Sequence, residues 1–307
     1  MKHVIALDVG GTRLKAALVG INGELLCEDQ RDTIRELGPK VVMESILEFA
    51  AELRAHGERR FGEAASAAGV AVPGIIDVGT GTAVYAANLG WRDVPLRSLL
   101  VERLGGIPVA LGHDVRTGGL AERRIGAGQG IDRFLFLALG TGISGAIGLG
   151  DHIEAGAGGL AGEIGHIVIR EGGLQCACGQ QGCLEQYASA SAVGRAWAAV
   201  SGGPDARDCV RALEARDDRA SAVWEDAVTA LADGLVTAIT LLNPRTVIIG
   251  GGLAEAGETL FTPLRTAVQS RLTFQQLPDI VPALLGGKAG CLGAGLMAWD
   301  LLNTLAG

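Results

Sequence analysis

This sequence has few aromatic residues, no excess of positive charge and no long apolar run. Aromatic residues make up 4% of the 307 residues while hydrophobic residues make up 48%, so the core must consist mainly of Ala, Val, Leu and Ile. A net charge of −8 leaves no basic surface for nucleic acid or anionic lipid. No apolar run is long enough to span a bilayer. We therefore expect neither nucleic acid nor a membrane as a partner.

Signals for secretion and for disulfide bonds are also missing. The opening MKHVIALDVGG leads directly into a strand, with no apolar signal segment before a cleavage site. Cys27, Cys209 and Cys291 stand alone in the sequence and are expected to be small buried residues. These features predict a cytoplasmic, reducing location for a chain that is long enough to form two domains.

The other three cysteines lie together within the segment EIGHIVIREGGLQCACGQQGCLE. Cys176, Cys178 and Cys183, with His166 ahead of them, supply the three thiolates and one imidazole of a closed tetrahedral zinc site. Small buried hydrophobic residues or a disulfide are the alternatives, and the missing secretion signal disfavours the disulfide. We therefore predict a structural zinc site.

The residues around these cysteines also bear on function. Gly179 and Gly182 allow the tight turns that bring donors so close in sequence to one ion. Glu163 and Glu185 place carboxylates beside the loop, where they are able to accept hydrogen bonds from sugar hydroxyls. The alternative is that both glutamates are solvated loop residues.

The chain begins with a strand, a glycine turn and two further strands. Apolar residues 3–7 and 14–19 predict the first two strands, and the Asn22-Gly23 turn predicts a third at 24–27. The turn between the first two contains Gly10, Gly11 and Thr12, whose backbone N–H groups and hydroxyl are suited to phosphate oxygens.

Asp8 lies at the mouth of this turn. Its carboxylate would repel phosphate unless a metal ion intervened, so Asp8 is a candidate to hold Mg2+, directly or through water. A plain hairpin is the alternative.

A second copy of this pattern follows more than a hundred residues later. Residues 134–139 and 146–149 predict strands that flank a turn containing Thr141 and Gly142. The repetition suggests a duplicated domain, and a triphosphate is able to lie between two such hairpins.

The rest of the chain alternates helices and strands. A strand at 107–111 leads to Asp114, and an acid at this position, opening a helix, lies where open α/β sheets bind ligands. A helix N-cap is the alternative for Asp114. Further on, a helix at 219–242 and a strand at 246–249 lead into Gly250, Gly251 and Gly252, where a ligand is able to approach the backbone.

Several motifs occur in order along nearly the whole chain and together resemble the ROK family of sugar kinases. The segment E-x-G-H followed by C-x-C-G-x-x-G-C is the most specific of them. The motifs are DVGGT at 8–12, AVPGIID at 71–77, NLGW at 88–91, HD at 113–114, LGTGI at 139–143, AGEIGH at 161–166, CACGQQGC at 176–183 and IIGGG at 248–252.

The resemblance implies an α/β fold of the two-domain actin-like (ribonuclease H-like) superfamily, with the active site in the interdomain cleft. It implies a small domain of residues 1–117 plus 293–307 and a large domain of residues 118–292 carrying the zinc loop. It further implies that the chain uses ATP, Mg2+ and a hexose, and forms a homodimer or homotetramer.

The resemblance also assigns roles to individual residues. Asp114 would be the base for the sugar hydroxyl. The expected sugar ligands are Asn88, His113, Glu163, His166 and Glu185. The expected phosphate and adenosine ligands are Gly10, Gly11, Thr12, Thr141 and Gly142 for the phosphates, and Gly250, Gly251 and Gly252 for the adenosine.

His113 departs from the family pattern, because this position is usually Asn. A neutral His still donates one hydrogen bond, but it is bulkier and ordinarily titrates near pH 6.5. The expected reaction is phosphorylation of glucose to glucose 6-phosphate. The alternatives are an N-acetylmannosamine or N-acetylglucosamine kinase, or a catalytically weak sugar-binding regulator. Only seven residues precede Asp8, so we expect no DNA-binding domain there.

Overall fold

The computed structural model describes all residues from Met1 to Gly307. The chain forms two compact units. The first comprises Met1–Ala121, Gly156–Leu160 and Gly287–Gly307, and the second comprises Glu122–Ala155 and Ala161–Gly286. The domain boundaries at residues 117/118 and 292/293, expected from the sequence, remain a prediction.

The first unit contains a five-stranded sheet in the order β3-β2-β1-β4-β8. The β1–β2 and β2–β3 pairs are antiparallel, whereas β1–β4 and β4–β8 are parallel. The parallel strands therefore end at the same edge of the sheet. The strands are β1 His3–Val9, β2 Arg13–Gly20, β3 Leu25–Asp32, β4 Ala68–Val72 and β8 Val109–His113.

The second unit contains a sheet of the same design, in the order β11-β10-β9-β12-β13. Its first two pairs are antiparallel and its last two are parallel. This correspondence agrees with the duplication predicted from the repeated strand–turn–strand pattern. The strands are β9 Arg133–Leu139, β10 Ile143–Leu149, β11 His152–Glu154, β12 Thr246–Gly250 and β13 Asp279–Pro282.

A third, three-stranded antiparallel sheet lies in the first unit and was not predicted. Its strands have only three, five and four residues, and turns containing Gly, Thr and Asn separate them, so they give no clear apolar alternation. They are β5 Ile75–Asp77, β6 Thr82–Ala86 and β7 Trp91–Val94.

Nine α-helices complete the two units. Asn243 ends α7 in the left-handed conformation with φ of 44°, as the Asn-Pro pair predicts. No helix combines the length and the apolar character that crossing a bilayer requires. The helices are α1 Pro39–Phe61, α2 Leu96–Arg103, α3 Asp114–Ile125, α4 Glu185–Ala188, α5 Ala190–Ser201, α6 Ala206–Glu214, α7 Asp218–Leu242, α8 Glu258–Gln269 and α9 Ala289–Ala306.

Strand β1 is an uninterrupted apolar run because its side chains alternate between two buried faces. Ile5 and Leu7 belong to the core cluster that includes α1, whereas Val4 and Ala6 pack with α9 on the opposite face. Both faces of the strand are therefore buried, and polar alternation is lost.

Two of the three isolated cysteines are buried as predicted, and one is not. Cys209 and Cys291 are buried, while Cys27 is only partly buried. The prediction for Cys27 was wrong because it lies on β3, at the edge of its sheet.

Candidate functional site

The first glycine turn connects β1 to β2 and is held from one side by Thr33. Gly10 N–H donates to the carbonyl of Arg13 at 2.9 Å, which closes the turn. The hydroxyl of Thr33 donates to the Gly10 carbonyl at 2.7 Å, and its N–H donates to the Thr12 carbonyl at 3.0 Å. Thr33 is fully buried. Sequence reasoning missed this residue because it lies beyond the next hairpin.

Asp8 lies near the end of β1, opposite Lys15 on β2. Burial raises the pKa of the Asp8 carboxyl to about 6, and nearby Asp114 adds to the increase while Lys15 opposes it. The Lys15 ammonium also donates to the carbonyl of Gly287 at 2.7 Å. Lys15 was missed by the sequence analysis, although pairing the two strands across the glycine turn would have placed it beside Asp8.

Asp114 is the first residue of α3 and directly follows β8. Its Oδ1 accepts the N–H of Val115 at 2.7 Å and lies 3.3 Å from Nδ1 of His113. Burial raises the pKa of Asp114 to about 6, against the opposing effects of the Val115 N–H and of Arg116. The side chain is 28% exposed, whereas His113 is only 6% exposed. Asp114 is thus an accessible carboxylate with raised basicity, at the carboxyl edge of the parallel strands.

Asn88 lies in a one-turn helix, Ala87–Leu89, and is exposed. It is adjacent to the first glycine turn, since a Cβ on Gly11 would lie 3.3 Å from the Asn88 Cβ. The first unit therefore brings Asn88 next to the phosphate-type turn.

The second glycine turn connects β9 to β10, and Gly140 N–H donates to the Gly142 carbonyl at 3.0 Å. Gly251, with φ of 87°, packs so tightly against β9 that a Cβ would lie 2.4 Å from the Leu139 carbonyl oxygen. Only glycine fits at Gly251. Gly252 next to it has open space around its Cα. The triplet at 250–252 thus lies beside the second turn, within the second unit.

Glu163 and Glu185 both lie beside β10. The Ser144 hydroxyl contacts Glu163 Oε1 at 3.5 Å, and the Ile143 N–H donates to Glu185 Oε2 at 2.9 Å. Glu185 is the first residue of α4. Both carboxylates are partly buried and contact groups on β10, which favours a defined position over a solvated loop for each.

The predicted donor cluster forms from the three cysteines and His166. The ligand atoms of all four residues lie within 4.8 Å of one another. Cys176 Sγ is 3.6 Å from His166 Nδ1, and Cys178 Sγ is 3.7 Å from Cys183 Sγ. Cys176 and Cys183 are buried, while Cys178 is exposed.

Glycine turns and hydrogen bonds to sulfur shape this cluster. Gly179 and Gly182 have φ of 96° and 81°, and a Cβ on Gly182 would lie 1.7 Å from the Arg170 carbonyl oxygen. The predicted need for glycine at both positions is confirmed. The Gln180 N–H is the main cause that lowers the pKa of the Cys178 thiol to about 7. A thiolate is therefore accessible near neutral pH, as metal binding requires.

Comparison with known proteins places these features in one family. The ROK family profile matches residues 4–300. A glucokinase of Thermotoga maritima is 35% identical over 309 residues, covering 95% of this chain and 95% of its own. A crystal structure of a ROK hexokinase from Thermus thermophilus has a TM-score of 0.83 and 34% identity, covering 98% of this chain and 99% of its own.

A second crystal structure carries ligands. It is a ROK family glucokinase from Streptomyces griseus in complex with glucose and AMPPNP. It has a TM-score of 0.84 and 30% identity, covering 97% of this chain and 99% of its own. These structural similarities confirm the predicted actin-like α/β fold.

Proposed function

Because this chain belongs to the ROK family, we propose that it is an ATP-dependent hexose kinase that converts glucose to glucose 6-phosphate. The position of Asp114 is the observation that carries the proposal. A carboxylate with raised basicity opens a helix at the carboxyl end of β8, on the sheet edge where α/β proteins bind ligands.

Asp114 would act as the general base. Its pKa of about 6 keeps it ionised at neutral pH while making it a better proton acceptor than an ordinary aspartate. It would take the proton from the sugar hydroxyl as that oxygen attacks the terminal phosphate of ATP. A positioned base of this kind contributes a factor of about 10²–10⁴ to the rate.

The two glycine turns would bind the phosphates through backbone N–H groups, since the transferred group carries charge on its oxygens. The Gly10 N–H closes the first turn through the Arg13 carbonyl, so Gly10 would shape that turn while Gly11 and Thr12 supply the donors. Thr141 and Gly142 would supply them in the second unit. The open backbone at 250–252 would receive the adenosine.

Mg2+ fits the environment of Asp8. The carboxylate is buried enough to raise its pKa to about 6, and a cation nearby would stabilise the ionised form. Bound there, the ion would neutralise phosphate charge. Lys15 opposite Asp8 would supply a further positive charge.

Zinc fits the donor cluster. Two thiolates on one tetrahedral zinc lie about 3.8 Å apart, and a thiolate and an imidazole nitrogen about 3.6 Å apart. The observed separations are 3.7 Å and 3.6 Å. Cys176, Cys178, Cys183 and His166 would hold the ion with no open position, so it would fix the loop and take no part in the chemistry.

The proposed sugar ligands are Asn88, His113, Glu163, His166 and Glu185. Asn88 and His113 belong to the first unit, and Glu163, His166 and Glu185 belong to the second. Amide, imidazole and carboxylate groups together offer the donors and acceptors that sugar hydroxyls require.

His113 favours a second candidate function. It is almost fully buried and its Nδ1 lies 3.3 Å from the proposed base. An imidazole in place of the usual amide would change the group offered to the sugar. The alternatives are therefore an N-acetylmannosamine or N-acetylglucosamine kinase, or a catalytically weak sugar-binding regulator.

One assay separates these functions. Purified protein is incubated with ATP, Mg2+ and each of glucose, mannose, N-acetylmannosamine and N-acetylglucosamine, and ADP release is measured with Asp114→Asn as the control. Glucose should give the highest kcat/KM. A higher value for an N-acetylated sugar would favour the second kinase. Sugar binding without ADP release would favour the regulator.

A further inference from the structure

The carboxylate of Glu185 lies directly against the second glycine turn. Its Oε2 accepts the N–H of Ile143, the residue after the turn, at 2.9 Å. The contact with Gly142 is so close that a Cβ there would lie 2.3 Å from the same oxygen. Its other oxygen, Oε1, makes no hydrogen bond within the protein, so one oxygen supports the turn and the other is available to a ligand.

The turn is also held from its opposite end by the start of α5. Ala190 N–H donates to the Gly140 carbonyl at 2.9 Å. The segment from Glu185 to Ala190 therefore bonds to the residues on both sides of Thr141. Backbone N–H groups bind an anion well only when their directions are fixed beforehand, and these two bonds fix them.

The supporting segment is in turn tied to the cysteine cluster. Glu185 follows Cys183 by two residues, and the Gln186 amide contacts Cys176 Sγ at 3.6 Å. Leu184, between Cys183 and Glu185, is fully buried, and its N–H donates to the Ile167 carbonyl at 2.9 Å. Glu185 thus has little freedom to move away from the turn.

We propose that Glu185 is a positioning residue for the nucleotide, and that its Oε2 holds the Gly140–Ile143 turn in the shape that binds phosphate. This inference rests on the proposed kinase function and deepens it, since Glu185 would serve the phosphate donor as well as the sugar. It follows that nucleotide affinity depends on Glu185 even when no sugar is bound.

The sign of a mutational effect separates this role from a simple charge effect. A carboxylate near bound phosphate repels it, so removing the charge alone should tighten nucleotide binding. Removing the support for the turn should weaken binding. Glu185→Ala removes both the charge and the hydrogen-bond acceptor, whereas Glu185→Gln removes the charge and keeps an amide oxygen for the Ile143 N–H.

The test measures AMPPNP affinity by calorimetry on the full-length, zinc-loaded protein without sugar. We expect Glu185→Ala to weaken AMPPNP binding on the order of 10-fold, the usual effect of losing a hydrogen bond to a charged group. Glu185→Gln should bind AMPPNP at least as tightly as wild type, because its amide oxygen still accepts the Ile143 N–H and the charge that repels phosphate is removed. Adenosine, which has no phosphate, should bind all three proteins equally.

A second variant tests the same support without touching Glu185. Ala190→Pro removes the N–H that donates to Gly140, and Pro is well tolerated at the first position of a helix. Ser189 before it is extended, with φ of −74° and ψ of 158°, as a residue preceding proline prefers. Ala190→Pro should also weaken AMPPNP binding and leave adenosine binding unchanged. This variant still tests the inference if Glu185→Ala fails to fold.

Glu163→Gln is the matched control, because it removes a nearby carboxylate that contacts a side chain, the Ser144 hydroxyl. It should raise the sugar KM and leave sugar-free AMPPNP affinity unchanged. If wild-type protein binds AMPPNP and Glu185→Ala binds it equally or more tightly, the inference about Glu185 is wrong while the proposed kinase function stands. Wild-type protein that neither binds AMPPNP nor phosphorylates a hexose would overturn the proposed function, and the inference with it.

Discussion

The Asp8 carboxylate lies directly against Gly290, in the first turn of α9. A Cβ atom at position 290 would lie 2.3 Å from both Cγ and Oδ2 of Asp8. Contacts this short do not occur between real side-chain atoms, so only glycine allows α9 to pack beside the proposed Mg2+ ligand. The end of the chain thus defines the space available to a residue near its beginning.

Gly290→Ala should therefore displace the Asp8 carboxylate. We expect kcat to fall on the order of 10²-fold, the effect of misplacing a catalytic group by about 1 Å. Overpacking should also lower the free energy of unfolding by about 1–3 kcal/mol. Gly158→Ala is the control, because nothing lies within 4 Å of its Cβ position. Steady-state kinetics and thermal melts on both variants check this, and wild-type kcat in Gly290→Ala would place Asp8 outside the reaction.

Sequence patterns predicted the features that depend on neighbours along the chain. Buried runs such as β4 and β9 consist of consecutive apolar residues, and each phosphate-type turn contains its own glycines. Asp114 was recognised because a strand end and a helix start meet there. These signals are local, so they are visible without the fold.

Features that depend on distant contacts were missed for a physical reason. The Asp8–Gly290 contact and the Thr33 support of the first turn join residues whose proximity arises only from folding. Strand β3 extends to Asp32, beyond the predicted end at Cys27, because its polar residues gain backbone pairing with β2 and not burial. Helix α8 was also missed because it contains an internal proline, and strand β13 was missed because it has only four residues and ends in a proline.

Asp114→Asn tests the proposed base. The amide keeps the size of the side chain but cannot take the proton, so kcat should fall by about 10²–10⁴-fold while sugar affinity stays close to wild type. Steady-state kinetics measure kcat, and sugar titrations measure the affinity. If the variant retained wild-type kcat, Asp114 would be only a helix cap.

The raised pKa of Asp114 also predicts a pH dependence. Because the base must be ionised, kcat/KM should fall tenfold per pH unit below about pH 6 and level off above it. If kcat/KM instead fell only near pH 3.8, the ordinary pKa of aspartate, burial would not raise the pKa of Asp114.

The same pKa shift makes a separate prediction for stability. The folded state holds the Asp114 proton more tightly than the unfolded state, so wild-type protein loses stability as the pH rises from 3.8 through about 6. Asp114→Asn cannot ionise. It should therefore match wild type near pH 4 and exceed it at pH 7.5 by at most about 3 kcal/mol, and less in proportion to solvent screening. Urea unfolding at the two pH values checks this, and an equal difference at both would contradict it.

His113→Asn restores the residue that is usual in the family. If His113 contacts the sugar, replacing its imidazole with the smaller amide should change the sugar KM and the ranking of hexoses by kcat/KM. Asp114, whose carboxylate lies 3.3 Å away, is unchanged in the variant and should keep its own effect on kcat. His152→Asn is the control, since His152 is 67% exposed on β11. Equal sugar KM values and an equal hexose ranking for wild type and His113→Asn would show that His113 does not act on the sugar.

Cys178→Ser tests the proposed zinc site at its most exposed ligand. Wild-type protein purified without chelator should contain about one zinc per chain, and less than about half would contradict a tight structural site. The variant should lose most of its zinc, whereas Cys27→Ser, the partly buried cysteine outside the cluster, should retain it.

Loss of zinc should act locally, because the second unit has its own large hydrophobic core. We expect the thermal transition to persist, while the sugar KM rises steeply as the loop between Glu163 and Glu185 loses its fixed shape. AMPPNP affinity should fall as well, since Glu185 supports the Gly140–Ile143 turn. Full zinc loss with unchanged sugar kinetics would separate the metal from the sugar site. A raised sugar KM with unchanged AMPPNP affinity would show that Glu185 holds the turn without help from the metal.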